Sequence, residues 1–471
     1  MTNKIPLHWQ IFISLILAVI FGAVFSTSYM LTEKKLVRLD KEIQDESIIS
    51  RLNILKDTEY KTLSEFEEQL ETRLSKPDLK AYEQLIVKAA YHNPALFWIE
   101  WMGIIFLRAL KMIVIPLIFT SIISGIITIG SGQNLGRLGL KTLLYYVSTS
   151  VFAILTGLFF VNVFQPGTGA DIKGLELMGD FSIQQKNLKD ILIEIVPDNI
   201  FKSLVNNDLL SVIFLSLLVG IFITQLDKKN NGMLSGLFNS LFELFMKITM
   251  FIIKLAPLGI FGLVAKVIAD QDNIGNLIHN LGSFIFCVTS ALFIHALVTL
   301  PLLTYLFGKN NPLRHLNNMT SALLTAFSTA SSAATLPLTM NNVKEKSGVS
   351  EKIANFTLPI GATVNMDGTA IYITAVVMFI AQITGMEMGV KEQLIILLTA
   401  LLTSIGTAAI PMASLVIITI ILNIFGLPFE MIAIILPVDR ILDMLRTTVN
   451  VWSDSCGAVI IAKSEGEQLN V

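Results

Sequence analysis

Charge is scarce in this sequence: Asp, Glu, Lys and Arg make up 15% of its 471 residues, and the formal net charge is −2. That balance offers no basic face for nucleic acid. The two cysteines, Cys287 and Cys456, each lie inside an apolar run and supply neither a disulfide framework nor a thiolate metal motif. No HExxH, Walker loop, GxSxG or CxxC pattern occurs, so no recognisable catalytic set argues for an enzyme. Apolar residues, by contrast, reach 53%, more than a soluble core needs, and place the chain with membrane proteins.

A helix crossing a bilayer takes about 20 apolar residues. Runs near 7–30, 97–129, 139–165, 205–226, 233–269, 276–307, 352–383 and 429–463 qualify and predict eight spans. The first reads as a transmembrane helix rather than a cleaved signal, because no A-x-A-like site follows it. Two further stretches, 316–342 and 391–424, are interrupted by small and hydroxyl residues around Pro337 and Pro411.

Loop charge decides how those two run. Lys4, Arg137, Lys141, Lys228, Lys229, Lys309 and Arg314 mark one side as cytoplasmic, whereas the alternate loops 269–273 and 384–388 carry no Lys or Arg. A full crossing at 316–342 would strand Lys344, Lys346 and Lys352 outside; a re-entrant hairpin returns them. The second stretch must return likewise if the last helix is to end at Lys463 in the cytoplasm. Both tips also look alike, Ala334-Thr335-Leu336-Pro337 and Ala408-Ala409-Ile410-Pro411, as expected of inverted repeats whose broken helices meet near the midplane. The expected fold is therefore an all-α membrane protein of eight transmembrane helices and two opposed hairpins, in the inner or plasma membrane with both termini cytoplasmic.

Residues 31–93 depart from this composition, with mixed charge throughout. By span count they form an extracellular insert. Leu63, Phe66, Leu70 and Leu74 recur at helical spacing, predicting an amphipathic helix in a solvated extension packed on the scaffold.

The chemistry concentrates on the last helix. Asp439, Asp443, Arg446, Thr447, Asn450 and Asp454 are spaced 4, 3, 1, 3 and 4 apart. At 3.6 residues per turn they share an arc of about 100°. Each charge at mid-bilayer costs at least about 2.5–3.5 kcal/mol, so such residues usually face a cavity or one another. A self-satisfied pair, Arg446 with Asp443 one turn back, would account for two of them. Arg446 is otherwise suited to a solute carboxylate and Asp443 to an ammonium group, while the carboxylates left over by Arg440 and Arg446 call for a cation. The run Asn365-Met366-Asp367-Gly368-Thr369 breaks the helix at 352–383 and offers Asn365, Asp367 and freed carbonyls to a hard cation; alternatively Asp367 caps the second half-helix. The run 328–332 at the first hairpin tip has small residues that admit either a ligand or a neighbouring helix closely. His295 reads as a helix-contact histidine, and Lys111 and Lys254 as snorkelling residues.

Four pieces in order, LRALKMIVIPLIF at 107–119, SSAATLP at 331–337, LPIGATVNMDGTAIY at 358–372 and DRILDMLRTTVNVWSD at 439–454, resemble the dicarboxylate/amino acid:cation symporter family, which includes the glutamate transporters. The resemblance implies an elevator-type secondary transporter, assembled as a homotrimer and coupled to sodium ions. It places residues 1–30, 94–130 and 190–269 in a scaffold that also makes the trimer, with the insert at 31–93. Residues 139–165 and 276–463 form its transport domain, carrying the hairpins, the broken helix at 352–383 and the last helix at 429–463.

By position, Arg446 would hold the substrate's side-chain carboxylate, Asp443 its amino group, and Thr447, Asn450, Thr369 and Ser332 its remaining polar atoms, with Ser331, Ile410 and Ser414 beside it at the hairpins. The sodium sites would draw on Asp454, Asn450, Asn365 and Gly361, on Tyr146, Thr149, Ser150 and Asp367, and on carbonyls of Thr363, Met366, Ser404, Ile405 and Thr407. Having both Arg446 and Asp443 points to aspartate or glutamate rather than neutral amino acids or C4-dicarboxylates. The chain departs from the pattern at Ala330 and Met444, where the family often has an arginine, and at Ser453 and Ser414, where it usually has glycine. It departs too at Trp452, at Ile373 in place of a proton-carrying glutamate, and in the insert. A proton-coupled, C4-dicarboxylate or neutral amino acid transporter of the same fold, or a different class such as an anion channel or a solute-sensing receptor, are the alternatives.

Overall fold

The computed structural model describes residues 7–130, 135–169, 193, 195–206, 209–271, 274–404, 413–427 and 431–471. The chain is helical nearly throughout. Helix α1 (Leu7–Val24) leads to an insert built from β1 (Ser28–Met30), α2 (Glu33–Ile43), α3 (Glu46–Leu52), β2 (Glu59–Tyr60), α4 (Leu63–Arg73), α5 (Lys76–Ala90) and β3 (Tyr91–His92). There follow α6 (Pro94–Phe97), α7 (Glu100–Gly130), α8 (Leu135–Phe164), α9 (Ile200–Asn206), α10 (Leu209–Thr224), α11 (Lys228–Lys254) and α12 (Ala256–Ala269). The rest comprises α13 (Ile274–Ile294), a π turn at His295–Thr299, α14 (Leu300–Gly308), α15 (Pro312–Thr329), α16 (Ser332–Glu345), α17 (Glu351–Val364), α18 (Asp367–Ile383), α19 (Val390–Ser404), α20 (Ala413–Ile424) and α21 (Ile432–Ser464).

Among the described residues, five stretches are long and apolar enough to cross a membrane: Glu100–Ile127, Arg137–Phe164, Lys228–Lys254, Gly275–Gly308 and Glu351–Ile383. Trp9–Val24, Ser211–Thr224 and Ala256–Ala269 are apolar but shorter. The 33-residue α21 is also long enough, at about 1.5 Å per residue, and is set apart by its charged stripe. Phe286 and Phe293 on α13, Leu297 in the π turn, and Leu302 and Leu306 on α14 point outward, a surface suited to lipid rather than water. With the family assignment below, these features make this a multi-pass membrane protein.

The run at 233–269, expected as one span, is two helices that part at Leu255, just before Pro257. Pro257 has no N–H to continue the ladder, and the 41 residues of α11 and α12 would measure about 60 Å if straight, twice the hydrocarbon thickness. Both halves instead lie against α7.

Packing sorts the helices into two groups. Helices α10, α11 and α12 gather on α7, with α1 packed along α12, while α8, α13 and α15 to α18 gather around α21. At the centre of the second group is α18, with every residue from Val364 to Ala381 buried. Arg137 and Lys141 in the first turns of α8 both pair with Glu465 beyond α21, at 2.7 and 2.6 Å, so these two ends lie on one side.

The halves of each interrupted stretch, α15 with α16 and α19 with α20, pack against each other. At 18, 14, 15 and 12 residues, or about 18–27 Å each, none spans the hydrocarbon alone, as the hairpin reading requires. The first tip turns at Ala330, whose φ of 48° is left-handed. The second, expected around Ala408–Pro411, lies outside the described residues.

The insert differs most from expectation. The predicted amphipathic helix is present as α4, burying Leu63, Phe66 and Leu70. Around it stands a small fold with its own core, including Tyr29, Leu31, Leu39, Leu52 and Ile86, and an antiparallel sheet in the order β2-β1-β3. It is anchored at its base. Thr27 and Tyr91 donate to one oxygen of Asp270 at 2.6 and 3.0 Å, and Asn93 donates to the Phe25 carbonyl at 2.8 Å. Burial raises the Asp270 pKa to about 6, against the pull of Thr27 and Lys266. Beside this anchor, Phe97, Trp98 and Trp101 stand exposed, as aromatic residues do at a membrane surface.

Candidate functional site

The polar stripe of α21 faces α18 and is buried. Asp439, Asp443, Arg446, Thr447, Asn450 and Asp454 are each no more than 7% exposed, in a helix otherwise packed with apolar side chains. Arg446 Nη2 donates to Asp443 Oδ1 at 2.8 Å and to Asp439 Oδ1 at 3.1 Å, and its guanidinium carbon sits 3.7 Å from the centroid of the Tyr372 ring. The pairing inferred from sequence is therefore present, and it takes in Asp439 as well. It does not exhaust the arginine: Nε and Nη1 are buried with no hydrogen-bond partner among the described residues. Buried guanidinium N–H groups left without partners suit the oxygens of an anion. Arg440 approaches the other oxygen of Asp443 at 3.5 Å, so Asp443 lies between two guanidinium groups.

The break in the second group's central helix falls at Asn365 and Met366, whose backbone angles are non-helical. Asp367 does not cap α18. Asn450, reaching across from α21, caps it instead, accepting from Gly368 N at 2.8 Å and Thr369 N at 3.4 Å while its amide donates to Thr369 Oγ1 at 3.1 Å. The approach needs Gly368, because a Cβ there would lie 2.5 Å from the Arg446 carbonyl oxygen. Thr447 donates back to the Asp443 carbonyl at 2.8 Å.

Asp367 is thereby free to face α8. Ser150 Oγ donates to its Oδ1 at 3.0 Å, Ser453 Oγ to its Oδ2 at 2.6 Å, and His295 Nε2 lies 3.2 Å from the same Oδ2. Thr149 donates to Asn365 Oδ1 at 3.2 Å, and Asn365 Nδ2 donates to Asp454 Oδ1 at 2.9 Å and to Ser453 Oγ at 3.0 Å. Tyr146 OH donates to the Thr357 carbonyl at 2.8 Å and stands beside Gly361, where a Cβ would lie 2.7 Å from that hydroxyl and 2.5 Å from Asp454 Oδ1. Asp367 and Asp454 are both buried, and among the described residues neither pairs with a lysine or arginine. Two buried carboxylates ringed by hydroxyl, amide and carbonyl oxygens suit a hard monovalent cation better than the clustered His, Cys and carboxylate ligands of a transition metal.

The structure thus gathers most of the residues named from sequence. Arg446, Asp443, Thr447, Asn450 and Thr369 form one end of the polar seam between α18 and α21. Asp454, Asn365, Asp367, Gly361, Tyr146, Thr149 and Ser150 form the other. Met366 lies between, at the break, and Thr363 is half-buried one turn before it. Ser331 N-caps α16 through Ala334 N at 3.3 Å, and Ser332 is buried in its first turn. Ser414 is buried with its hydroxyl unpartnered among the described residues. Ile405, Thr407 and Ile410 lie outside the described residues, as does the Ser404 side chain. Sequence reasoning missed two participants. His295, read as a helix contact, makes that contact on Asp367 itself; a histidine within an apolar span was the available signal. Ser453 appeared only as a missing glycine, and nothing in its spacing revealed the bonds it makes.

The sodium:dicarboxylate symporter family pattern matches residues 7–464. The chain belongs to that family. Among curated proteins it is 36% identical over 386 residues to the proton/sodium-glutamate symport protein of Geobacillus stearothermophilus, covering 80% of this chain and 90% of that one. It is 32% identical over 430 residues to excitatory amino acid transporter 3 of Mus musculus, covering 80% and 81%. It is also 32% identical over 391 residues to the proton/glutamate-aspartate symporter of Escherichia coli, covering 80% and 88%.

Proposed function

We propose that this member is a secondary active symporter that takes up aspartate or glutamate with sodium ions. The observation that carries the reading is Arg446, a buried arginine held by two aspartates through Nη2 and left with Nε and Nη1 unpartnered among the described residues. An acidic amino acid places its side-chain carboxylate on those donors and its ammonium against Asp443, and Thr447, Asn450, Thr369 and Ser332 complete its polar contacts. The relatives' names, all glutamate or excitatory amino acid transporters, support the same substrate class.

Sodium enters as cargo. In this reading one ion is held by Asp454, Asn365, Asn450 and the Gly361 carbonyl, and another by Asp367, Tyr146, Thr149 and Ser150. Carbonyls of Thr363, Met366, Ser404, Ile405 and Thr407 provide further oxygens. Four carboxylates on the seam, Asp367, Asp439, Asp443 and Asp454, face two arginines, Arg440 and Arg446, so bound cations relieve the excess charge. The helices packed around α21 form the transport domain, those on α7 form the scaffold and the trimer contact, and the transport domain slides past the scaffold. Both hairpins, short and returning to their own sides, act as gates.

A competition assay on the reconstituted protein separates this reading from its neighbours. Unlabelled aspartate and glutamate should each abolish uptake of labelled aspartate, while alanine and serine leave it unchanged. Succinate displacing aspartate as well as glutamate does would reassign the protein to C4-dicarboxylates.

A further inference from the structure

Asp367 and Asp454 sit on different helices, yet one chain of hydrogen bonds joins them. It runs from Asp454 Oδ1 to Asn365 Nδ2 at 2.9 Å, from the same Nδ2 to Ser453 Oγ at 3.0 Å, and from Ser453 Oγ to Asp367 Oδ2 at 2.6 Å. All four residues are buried. Ser453 contributes the one atom that closes the path, and the glycine usual at this position in the resembled family has no such atom. His295 Nε2 meets the same Asp367 oxygen from the π turn at 3.2 Å, and Trp452 fixes the backbone beside Ser453 by stacking on His315 and donating to the Ala296 carbonyl at 2.9 Å.

We propose that the Ser453 hydroxyl couples the two cation sites of this transporter, so that an ion at Asp454 sets the geometry of the site at Asp367. A cation drawn to Asp454 Oδ1 meets the amide N–H of Asn365, which must turn away to admit it. Turning the planar amide changes its bond to Ser453, and a hydroxyl released from Asn365 reorients on Asp367. Because a single oxygen serves both partners, neither site adjusts alone. His295 stands at the far end of the path, where it orients Asp367 without linking the sites; it is a positioning residue. An ion at Asp454 that leaves Asp367 oriented for the second ion raises that ion's affinity, and because coupling is reciprocal the second raises the first's by the same factor. The inference rests on the sodium-coupled reading above and adds to it the residue through which the ions cooperate.

The test is sodium binding without transport: thermal stability of the purified full-length protein in lipid nanodiscs, titrated with sodium chloride against choline chloride at constant ionic strength, with no amino acid present. The wild type should show a stabilisation curve steeper than a single-site isotherm. Ser453→Ala should melt somewhat lower in choline, having lost buried hydrogen bonds, and, relative to that baseline, flatten to single-site shape and shift its midpoint upward between about twofold and tenfold, the range expected for one hydrogen bond. Ser453→Gly should behave in the same way and covers the case in which the alanine variant fails to fold. Ser453→Thr, which keeps the hydroxyl, should restore the steepness, and His295→Gln should move the midpoint but leave the steepness intact. Alanine and glycine curves that superimpose on the wild type overturn the proposal, as does a threonine curve as flat as theirs, which would assign the effect to packing. A wild type that ignores sodium overturns the sodium reading itself.

Discussion

At the scale of single residues, Arg446 has two functions that substitution separates. Its Nη2 neutralises Asp439 and Asp443, and removing one partner of a buried ion pair typically costs about 3–5 kcal/mol because the remaining charge is stranded. Its Nε and Nη1, without partners among the described residues, are the donors proposed for the solute. Arg446→Cys is therefore expected to lose aspartate uptake and to melt at a lower temperature, while Asp439→Asn in the same background recovers stability without recovering uptake. Scanning calorimetry beside an uptake assay distinguishes the two; uptake returning together with stability would contradict a direct role for the guanidinium. The stripe itself was legible in the sequence, because charges at helical spacing in an apolar run have few explanations. Which oxygen each charge meets was not. Asp439 had no partner until the fold brought Arg446 back over two turns, and Ser453 looked like a loss.

At the scale of elements, the decisive feature is the break at Asn365 and Met366. A run of Asn, Asp and Gly announced it, since these residues compete poorly for helix. The identity of the cap could not be read locally: Asp367 had the right chemistry and position, yet its carboxylate turns to Ser150, Ser453 and His295 while Asn450 serves the freed N–H groups. Close approach between helices has a similar dependence on context. Gly361 leaves room for Asp454 and the Tyr146 hydroxyl, so Gly361→Ala pushes a methyl group into both. We expect the sodium concentration for half-maximal aspartate uptake to rise about tenfold, equivalent to about 1.4 kcal/mol, with little change in the maximal rate at saturating sodium. A fall in maximal rate at unchanged sodium dependence would place Gly361 outside the cation site. Loop charge, a property of many residues at once, is what made hairpins the expectation; the kink between α11 and α12 was signalled by Pro257 but hidden inside a continuous apolar run.

At the scale of the whole molecule, the insert shows where sequence reading stops. Its four-residue apolar spacing predicted α4, but strands of two or three residues carry no periodicity of their own, and the sheet exists only because β1 lies between two later segments. The insert meets the membrane helices at Asp270, and burial sets the sign of the pH dependence there. A carboxyl raised to about 6 in the folded protein, from an ordinary value of 3.8, binds its proton more tightly when docked, so docking is strongest below about pH 4 and weakens as pH rises through 6. Hydrogen exchange at the base of the insert should therefore quicken more between pH 4.5 and about 7 than intrinsic chemistry dictates, and Asp270→Asn should remove that excess. An excess that persists in the variant would assign the effect to another group. The larger division, helices gathered on α7 against helices gathered around α21, gives the sliding reading its physical basis, because the buried polar seam lies wholly within the second group and can travel with it. The most direct test of the whole account is uptake of labelled aspartate into proteoliposomes under an inward sodium gradient. Accumulation above the external concentration that collapses when sodium is equal on both sides is the predicted result; accumulation driven as well by a proton gradient with no sodium present would contradict it.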